Sequence, residues 1–263
     1  MRVRSRRSML GLAVLSAFAI APAAARILPV DYRYVGVSVP EGAAAPLDTV
    51  VVDESGKPQT LHAFVTHPTV LVFADYTCRT LCGPILDFVG AALKQSGLDI
   101  ADRYRLVVIG IDPKDTTTDA AAMRHASLDP TLDKVATFLT ADAKAVAALT
   151  SALGYRFKYD AEDDIYVHPA AAYVLTADGK VARVLTGLGL SGADMRLALV
   201  EAGQGKIGTL GDRVRLLCSA FDPVHGQYNA AVSRLLAIAG GATVLALSGG
   251  IGLLALAARR RAG

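Results

Sequence analysis

The sequence predicts a mixed α/β domain in which a central sheet lies between helices. Two runs, residues 70–73 and 105–111, are largely apolar, which is typical of central strands covered on both faces. An apolar pattern at helical spacing follows the first run over residues 85–93. Alternation of strands and helices of this kind favours a layered α/β architecture.

The other predicted elements complete this alternation. A first hairpin has strands at 49–52 and 59–64, and Thr118 with Asp119 is expected to cap a helix that ends at Leu128. A helix over 145–153 precedes a second hairpin, in which Asp178-Gly179 forms the turn between strands 171–175 and 181–185. A helix over 192–202 closes the domain.

Two cysteines, Cys78 and Cys82, lie between the first central strand and the helix that follows it. Pro84 suits the first turn of that helix, so the thiols are expected at its N-terminus, where the helix dipole lowers a thiol pKa. A low-pKa dithiol is either a redox couple or a soft metal site. Buried filler and a structural disulfide are weaker readings, because the flanking residues are polar and so short a loop restrains little of the unfolded chain.

A third donor is available from His168, which stands just before the predicted strand 171–175. In a sheet of this order, the loop of His168 can face the dithiol. Two thiolates and one imidazole favour copper, whereas zinc prefers a fourth ligand. A histidine beside a proline is more often structural, so both interpretations stay open on the residues alone.

The ends of the 263-residue chain differ from its middle. Apolar residues make up 52% of the sequence and the mean hydropathy is +0.39, with the excess near both termini. Much of the net charge of +3 comes from terminal arginines, so the middle of the chain is close to neutral and does not indicate a nucleic-acid partner.

Three cysteines are too few for a disulfide framework.

Residues 1–25 are typical of an export signal, with a basic start, an apolar run and a cleavage site after Ala25. Residues 5–10 fit a twin-arginine signal as well as a Sec signal with paired arginines. Residues 26–46 are expected to form a linker, and residues 47–205 the domain.

At the other end, residues 206–234 are expected to form a juxtamembrane linker, and residues 235–258 are uncharged and long enough to cross a bilayer. Three arginines in the tail 259–263 place the C-terminus in the cytoplasm and the domain in the periplasm, at the bacterial inner membrane. A buried core helix is the alternative for 235–258. Cys218 in the linker is either a chance thiol or an auxiliary ligand together with His225.

Three spaced motifs resemble the SCO/SenC family over about residues 35–205. They are residues 73–84 with their Cys-x3-Cys, residues 108–116 (VIGIDPKDT), and residues 164–168 (DIYVH) ahead of 173–180 (YVLTADGK). The resemblance implies a thioredoxin-like fold and a membrane-tethered copper chaperone for cytochrome c oxidase. It also implies copper binding by Cys78, Cys82 and His168, with Asp112 holding the loop geometry without binding the metal.

Some residues depart from the family pattern. The family usually has proline directly after each cysteine, whereas Arg79 and Gly83 stand there in this chain. His168 is followed by Pro169, and the expected anchor is C-terminal, as in a C-terminally anchored subgroup.

Two functions fit the dithiol. The first is a metallochaperone, a transfer protein rather than an enzyme, that delivers Cu(I) or Cu(II) to the dinuclear copper site of an oxidase subunit. The second is a thiol-disulfide reductase that keeps the copper-ligand cysteines of the oxidase reduced. Peroxide reduction is a weaker third. A reductase does not need His168, so that residue discriminates between the first two.

Overall fold

The computed structural model describes residues 34–78, 82–98, 103–162, 164–187, 189–204, 216, 219–222, 227–230 and 232–262. The predicted export signal, Cys218 and His225 lie outside these ranges. For Cys82 the backbone is described, but the side chain is not.

The elements follow one another in the order that the sequence predicts, with several short strands added. The described helices are α1 (Cys82–Gln95), α2 (Thr117–Ser127), α3 (Ala143–Leu153), α4 (Gly192–Ala202) and α5 (Val232–Ala262). The described strands are β1 (Gly36–Val37), β2 (Val50–Val52), β3 (Pro58–Thr60), β4 (Thr69–Ala74), β5 (Arg105–Gly110), β6 (Ala136–Leu139), β7 (Tyr155–Arg156), β8 (Lys158–Asp160), β9 (Ile165–Val167), β10 (Ala171–Leu175), β11 (Val181–Thr186), β12 (Ser219–Asp222) and β13 (Gln227–Ala230).

The central sheet has five strands in the order β11-β10-β4-β5-β6. The three strands β4, β5 and β6 are parallel, whereas β10 is antiparallel to both of its neighbours. All six residues of β4 are buried, as its continuous apolar run predicts. The prediction of a mixed sheet flanked by helices is therefore confirmed.

The sheet divides the interior into two cores. Val70, Val72 and Leu106 belong to one core, which also takes residues from α1, α2 and α4. Leu71 and Phe73 point to the opposite face, where α3 and the region of β2 and β3 complete the second core. Side chains alternate along a strand, so β4 supplies both cores.

Several elements differ from their predicted form. Strand β6 was not predicted, because a four-residue segment with one threonine gives little pattern. Helix α2 begins at Thr117 and is capped by Thr116, whose side chain forms a reciprocal capping box with Asp119. The strands β7, β8, β9, β12 and β13 have two to four residues each, and no periodic signal is available at that length.

Parts of both predicted linkers pack against the domain. Strand β1 pairs with β7, and Ala45 is buried in the second core. Strands β12 and β13 pair with each other, and Phe221 packs against the first core while the Arg183 guanidinium lies 5.0 Å from its ring centroid. These contacts extend the folded unit beyond residues 47–205 at both ends.

The predicted membrane span, residues 235–258, lies within helix α5. Among the residues that the structure describes, however, no helix combines the length and the apolar character needed to cross a membrane.

The contact between α1 and α4 leaves no room for a side chain at Gly192. A Cβ atom at this position would lie 2.4 Å from the Gln95 Cβ and 2.9 Å from the Gln95 carbonyl oxygen. We expect Gly192→Ala to lower the free energy of unfolding by about 1–3 kcal/mol, because the two helices must move apart. Urea unfolding of the purified chain measures this.

The matched control is Gly189→Ala, three residues earlier, where a Cβ would meet nothing within 4 Å. Equal stability of the two variants would contradict the proposed close approach of the helices.

Candidate functional site

The two cysteines stand where the sequence predicts them, on the turn from β4 into the N-terminus of α1. Strand β4 ends at Ala74, the chain turns through Asp75–Cys78, and Cys82 is the first residue of α1. Cys78 is half-buried and packs against the first core. The helix N-terminus beside Cys82 favours negative charge, so this turn suits thiolates.

His168 lies at the same edge of the sheet. It follows β9 and precedes β10, which runs antiparallel to β4 with Ala172 opposite Val72. In this register the start of β10 and the end of β4 lie side by side. The segment after β4, which carries Cys78, and the segment before β10, which carries His168, therefore lie at the same end of two neighbouring strands. The two residues are 90 positions apart in the chain.

The hydrogen bonds of His168 favour a proton on Nδ1. The Tyr155 hydroxyl lies 2.9 Å from Nδ1 of His168 and donates its single proton to the carbonyl oxygen of Pro169 at 3.0 Å. That carbonyl is also 3.3 Å from Nδ1. A proton on Nδ1 satisfies both contacts, because it can be donated to the Tyr155 hydroxyl oxygen or to the Pro169 carbonyl, and in this tautomer the lone pair lies on Nε2.

The charge of the imidazole follows from its surroundings. Burial lowers the pKa of His168, so the ring is neutral at pH 7. A neutral ring with its lone pair on Nε2 is the form that binds a metal ion.

Tyr155 reaches this position because α3 ends at a glycine. Gly154 has φ +65°, and a Cβ there would lie 1.9 Å from the carbonyl oxygen of Ser38. Only glycine fits this left-handed turn beside a neighbouring backbone. The turn sends the chain into β7, whose buried Tyr155 reaches the residues before β10.

Asp75 connects the two segments of the site. Its Oδ1 accepts hydrogen bonds from the Thr77 amide (3.1 Å), the Thr77 hydroxyl (3.0 Å) and the Cys78 amide (3.1 Å). Its Oδ2 accepts a hydrogen bond from the Tyr166 amide at 3.1 Å, in the strand that leads to His168. The carboxyl group is buried, with 1% of the residue exposed.

Strands β8 and β9 pair as an antiparallel hairpin that ends one residue before His168, and a second connection joins this hairpin to the loop after β5. The Lys114 ammonium lies 2.7 Å from Oδ1 of Asp164, and the Tyr159 hydroxyl donates to the same oxygen. The Lys114 and Asp164 side chains are 63% and 68% exposed, so this ion pair contributes little to stability.

The predicted acidic position, Asp112, lies in that loop. It is buried, and its Oδ1 accepts a hydrogen bond from the Lys114 amide at 2.9 Å. This bond shapes the loop. That Asp112 also supports a metal site remains a prediction.

A neighbouring residue that the sequence did not single out, Asp115, is also buried. Its Oδ2 accepts from the Tyr76 amide at 3.1 Å, while its Oδ1 has no hydrogen-bond partner among the described residues. Burial raises the pKa of Asp115 to about 7, and the charge of Asp75 adds to the effect.

The donors fit a soft metal ion by their chemistry. Two sulfur donors at a helix N-terminus and an imidazole with its lone pair on Nε2 match the ligand preferences of copper. In the described part of the chain, which omits the Cys82 side chain, no three His, Cys, Asp or Glu side chains are grouped closely enough to hold a metal ion. The ligand set Cys78, Cys82 and His168 thus stays a prediction.

Three other histidines are described, and none of them belongs to the proposed ligand set. His62 and His125 are exposed, and His67 is half-buried with its Nδ1 2.9 Å from the Thr66 hydroxyl.

Solved structures with a similar fold come from several organisms. A protein from Aquifex aeolicus VF5 superposes with a TM-score of 0.56 at 21% identity, covering 63% of this chain and 95% of the other. The copper-bound ScoI of Arabidopsis thaliana gives 0.51 at 15% identity, covering 62% and 98%. BsSco, described as a member of the Sco family of cytochrome c oxidase assembly proteins, gives 0.50 at 18% identity, covering 65% and 99%. At these identities the similarity establishes the fold.

Comparison of sequences gives a more specific result. No curated protein sequence matches the chain significantly. The family model of SCO1/SenC, however, matches residues 47–198, which is more than half of the chain and includes both cysteines and His168. The chain therefore belongs to the SCO1/SenC family.

Proposed function

We propose that this protein binds copper through Cys78, Cys82 and His168 and delivers it to the dinuclear copper site of a cytochrome c oxidase. The observation that carries the proposal is the buried Asp75 carboxylate, which hydrogen-bonds both the turn of Cys78 and the strand that leads to His168. Family membership supports the same function, since the ScoI relative contains copper and the BsSco relative belongs to an oxidase assembly family.

Each donor has a defined task in this proposal. The two thiols lose their protons on binding, and the helix N-terminus at Cys82 stabilises the resulting charge. His168 binds through Nε2, with its Nδ1 held 2.9 Å from the Tyr155 hydroxyl. Because Cys78 is half-buried rather than enclosed, a partner thiolate can replace one ligand at a time during transfer.

A second candidate is a thiol-disulfide reductase that reduces the copper-ligand cysteines of the oxidase. The dithiol turn supports it, because a thiolate at a helix N-terminus attacks a partner disulfide readily. In that reaction the partner disulfide gains two electrons, and Cys78 and Cys82 become a disulfide. The reductase needs no His168.

Copper titration of the full chain in detergent tests the first candidate. The reduced protein should retain about one Cu(I) ion in competition with a chromophoric chelator, as two thiolates and an imidazole predict. Cys78→Ser should lose most of this affinity. The matched control Cys218→Ser should keep the stoichiometry, because Cys218 is outside the proposed ligand set.

A wild-type chain that yields its copper to a weak chelator would exclude the chaperone. Retention of full affinity by Cys78→Ser would exclude this ligand set.

The proposal also places the domain in the periplasm, tethered by the C-terminal segment at the bacterial inner membrane. It rests on the sequence of residues 1–25, the uncharged run 235–258 and the three arginines after it. Cell fractionation tests it, with the chain expected in the membrane fraction and its domain accessible to protease in spheroplasts. Recovery in the soluble fraction would exclude the tether.

A further inference from the structure

One buried carboxyl group joins two segments that are distant in sequence. Asp75 accepts three hydrogen bonds from the Thr77–Cys78 turn through Oδ1 and one from the Tyr166 amide, 91 residues later, through Oδ2. Asp75 is thus connected on one side to a proposed sulfur ligand and on the other side to the strand that ends one residue before His168.

The burial of Asp75 makes this connection hard to replace. Only 1% of the residue is exposed, so water cannot readily substitute for the carboxylate. Each main-chain N–H that loses a buried acceptor carries a desolvation cost. The exposed pair of Lys114 and Asp164 links the same hairpin to a different loop, and it does not reach the Cys78 turn.

We propose that Asp75 is a positioning residue that holds the Cys78 turn and the His168 hairpin in one fixed register. The inference rests on the proposed function for the identity of the ion. Asp75 is not part of the proposed ligand set; its carboxylate accepts four protein hydrogen bonds, three through Oδ1 and one through Oδ2. Its role is to let sulfur and imidazole reach a single copper ion together.

The variant Asp75→Asn separates the two sides of the connection. The amide oxygen can take the place of Oδ1 and keep the three bonds from Thr77 and Cys78. The amide NH2 group then faces the Tyr166 N–H, and two donors cannot bond. The turn stays formed while the hairpin is released.

The experiment has two readouts on the same protein. Without copper, hydrogen exchange of the Tyr166 amide should accelerate at least about 10-fold in Asp75→Asn, while that of the Cys78 amide stays within about 2-fold of wild type. With copper, Cu(I) affinity should fall by about 10–100-fold, as for loss of other supporting groups around metal ligands. In the Cu(II) form the sulfur-to-copper charge-transfer band should persist while nitrogen hyperfine coupling from His168 is weakened.

The matched control is Asp53→Asn. Asp53 also accepts several bonds, from the Ser55 amide (2.9 Å), the Lys57 amide (3.0 Å) and the Gln59 side chain (3.0 Å), but its turn carries no proposed ligand. Copper affinity and the nitrogen signal should be unchanged in this variant, even if its stability falls.

The outcomes are distinct. Wild-type nitrogen coupling and affinity in Asp75→Asn would overturn the inference and leave the proposed function standing. A wild-type chain that binds no copper would overturn both. Should Asp75→Asn fail to fold, hydrogen exchange in the unmodified chain decides: a Tyr166 amide that exchanges as fast as an open loop would overturn the connection.

Discussion

His168→Ala is expected to weaken Cu(I) binding by roughly 100-fold or more while leaving thiol-disulfide exchange unchanged. Loss of a group that merely supports a metal ligand costs about 10–100-fold in affinity, so loss of the ligand itself should cost at least the upper end of that range. The two thiols do not depend on the imidazole for their redox chemistry. Chelator competition measures the affinity, and reduction of a small disulfide measures the exchange.

The control for this prediction is His125→Ala, which removes an exposed histidine from α2. It should leave both measurements unchanged. If His168→Ala binds copper as tightly as wild type, His168 is not the third ligand. If it loses exchange activity as strongly as copper affinity, the two functions cannot be separated at this residue.

Asp115 is expected to make the domain less stable as the pH rises from about 4 to about 7. Burial raises the pKa of this carboxyl group to about 7, whereas an aspartate in the unfolded chain titrates near 3.9. Between these values the folded state keeps a proton that the unfolded state has lost, so folding is favoured at the acid end and this contribution disappears as the pH rises. A pKa difference of that size corresponds to at most about 4 kcal/mol.

Asp115→Asn removes the titrating group and keeps an acceptor for the Tyr76 amide. The free energy of unfolding should therefore depend less on pH in the variant than in wild type. Urea titrations at intervals of about half a pH unit, from about pH 4.5 to about pH 8, measure this. Asp119→Asn is the control. The Thr116 side chain lowers the pKa of Asp119, so its loss should reduce stability through the helix cap without flattening the profile. Parallel profiles for wild type and Asp115→Asn would contradict a shifted pKa at this site.

Much of the fold could be predicted because its elements have local causes. Strand β4 is apolar from Val70 to Ala74, and α3 begins beside Asp142, whose side chain accepts from the Ala145 amide. Strand β6 and the short strands around His168 could not be predicted in the same way. Strands of two to four residues show no period, and their partners along the sheet determine them instead.

The proposed ligands could be found from residue type and spacing, whereas the groups around them could not. Asp75 follows a buried strand and precedes Thr77 by two positions, a pattern typical of an Asx turn, which is the one local signal that could have identified it. Its bond to Tyr166 depends on the pairing of β10 with β4. Similarly, the burial of Asp115 depends on Tyr76, from a segment 39 residues earlier.

The long sequence separation between Asp75 and Tyr166 has a consequence for when the proposed copper site can form. An incompletely synthesised chain already has both thiols, since they are near neighbours, but it gains the imidazole only after β10 has closed a loop of some 90 residues onto β4. Closing so long a loop costs conformational entropy and belongs late in folding. With the proposed ligand set, tight capture of copper would thereby be reserved for chains that have finished folding, and an immature chain would hold the ion by sulfur alone.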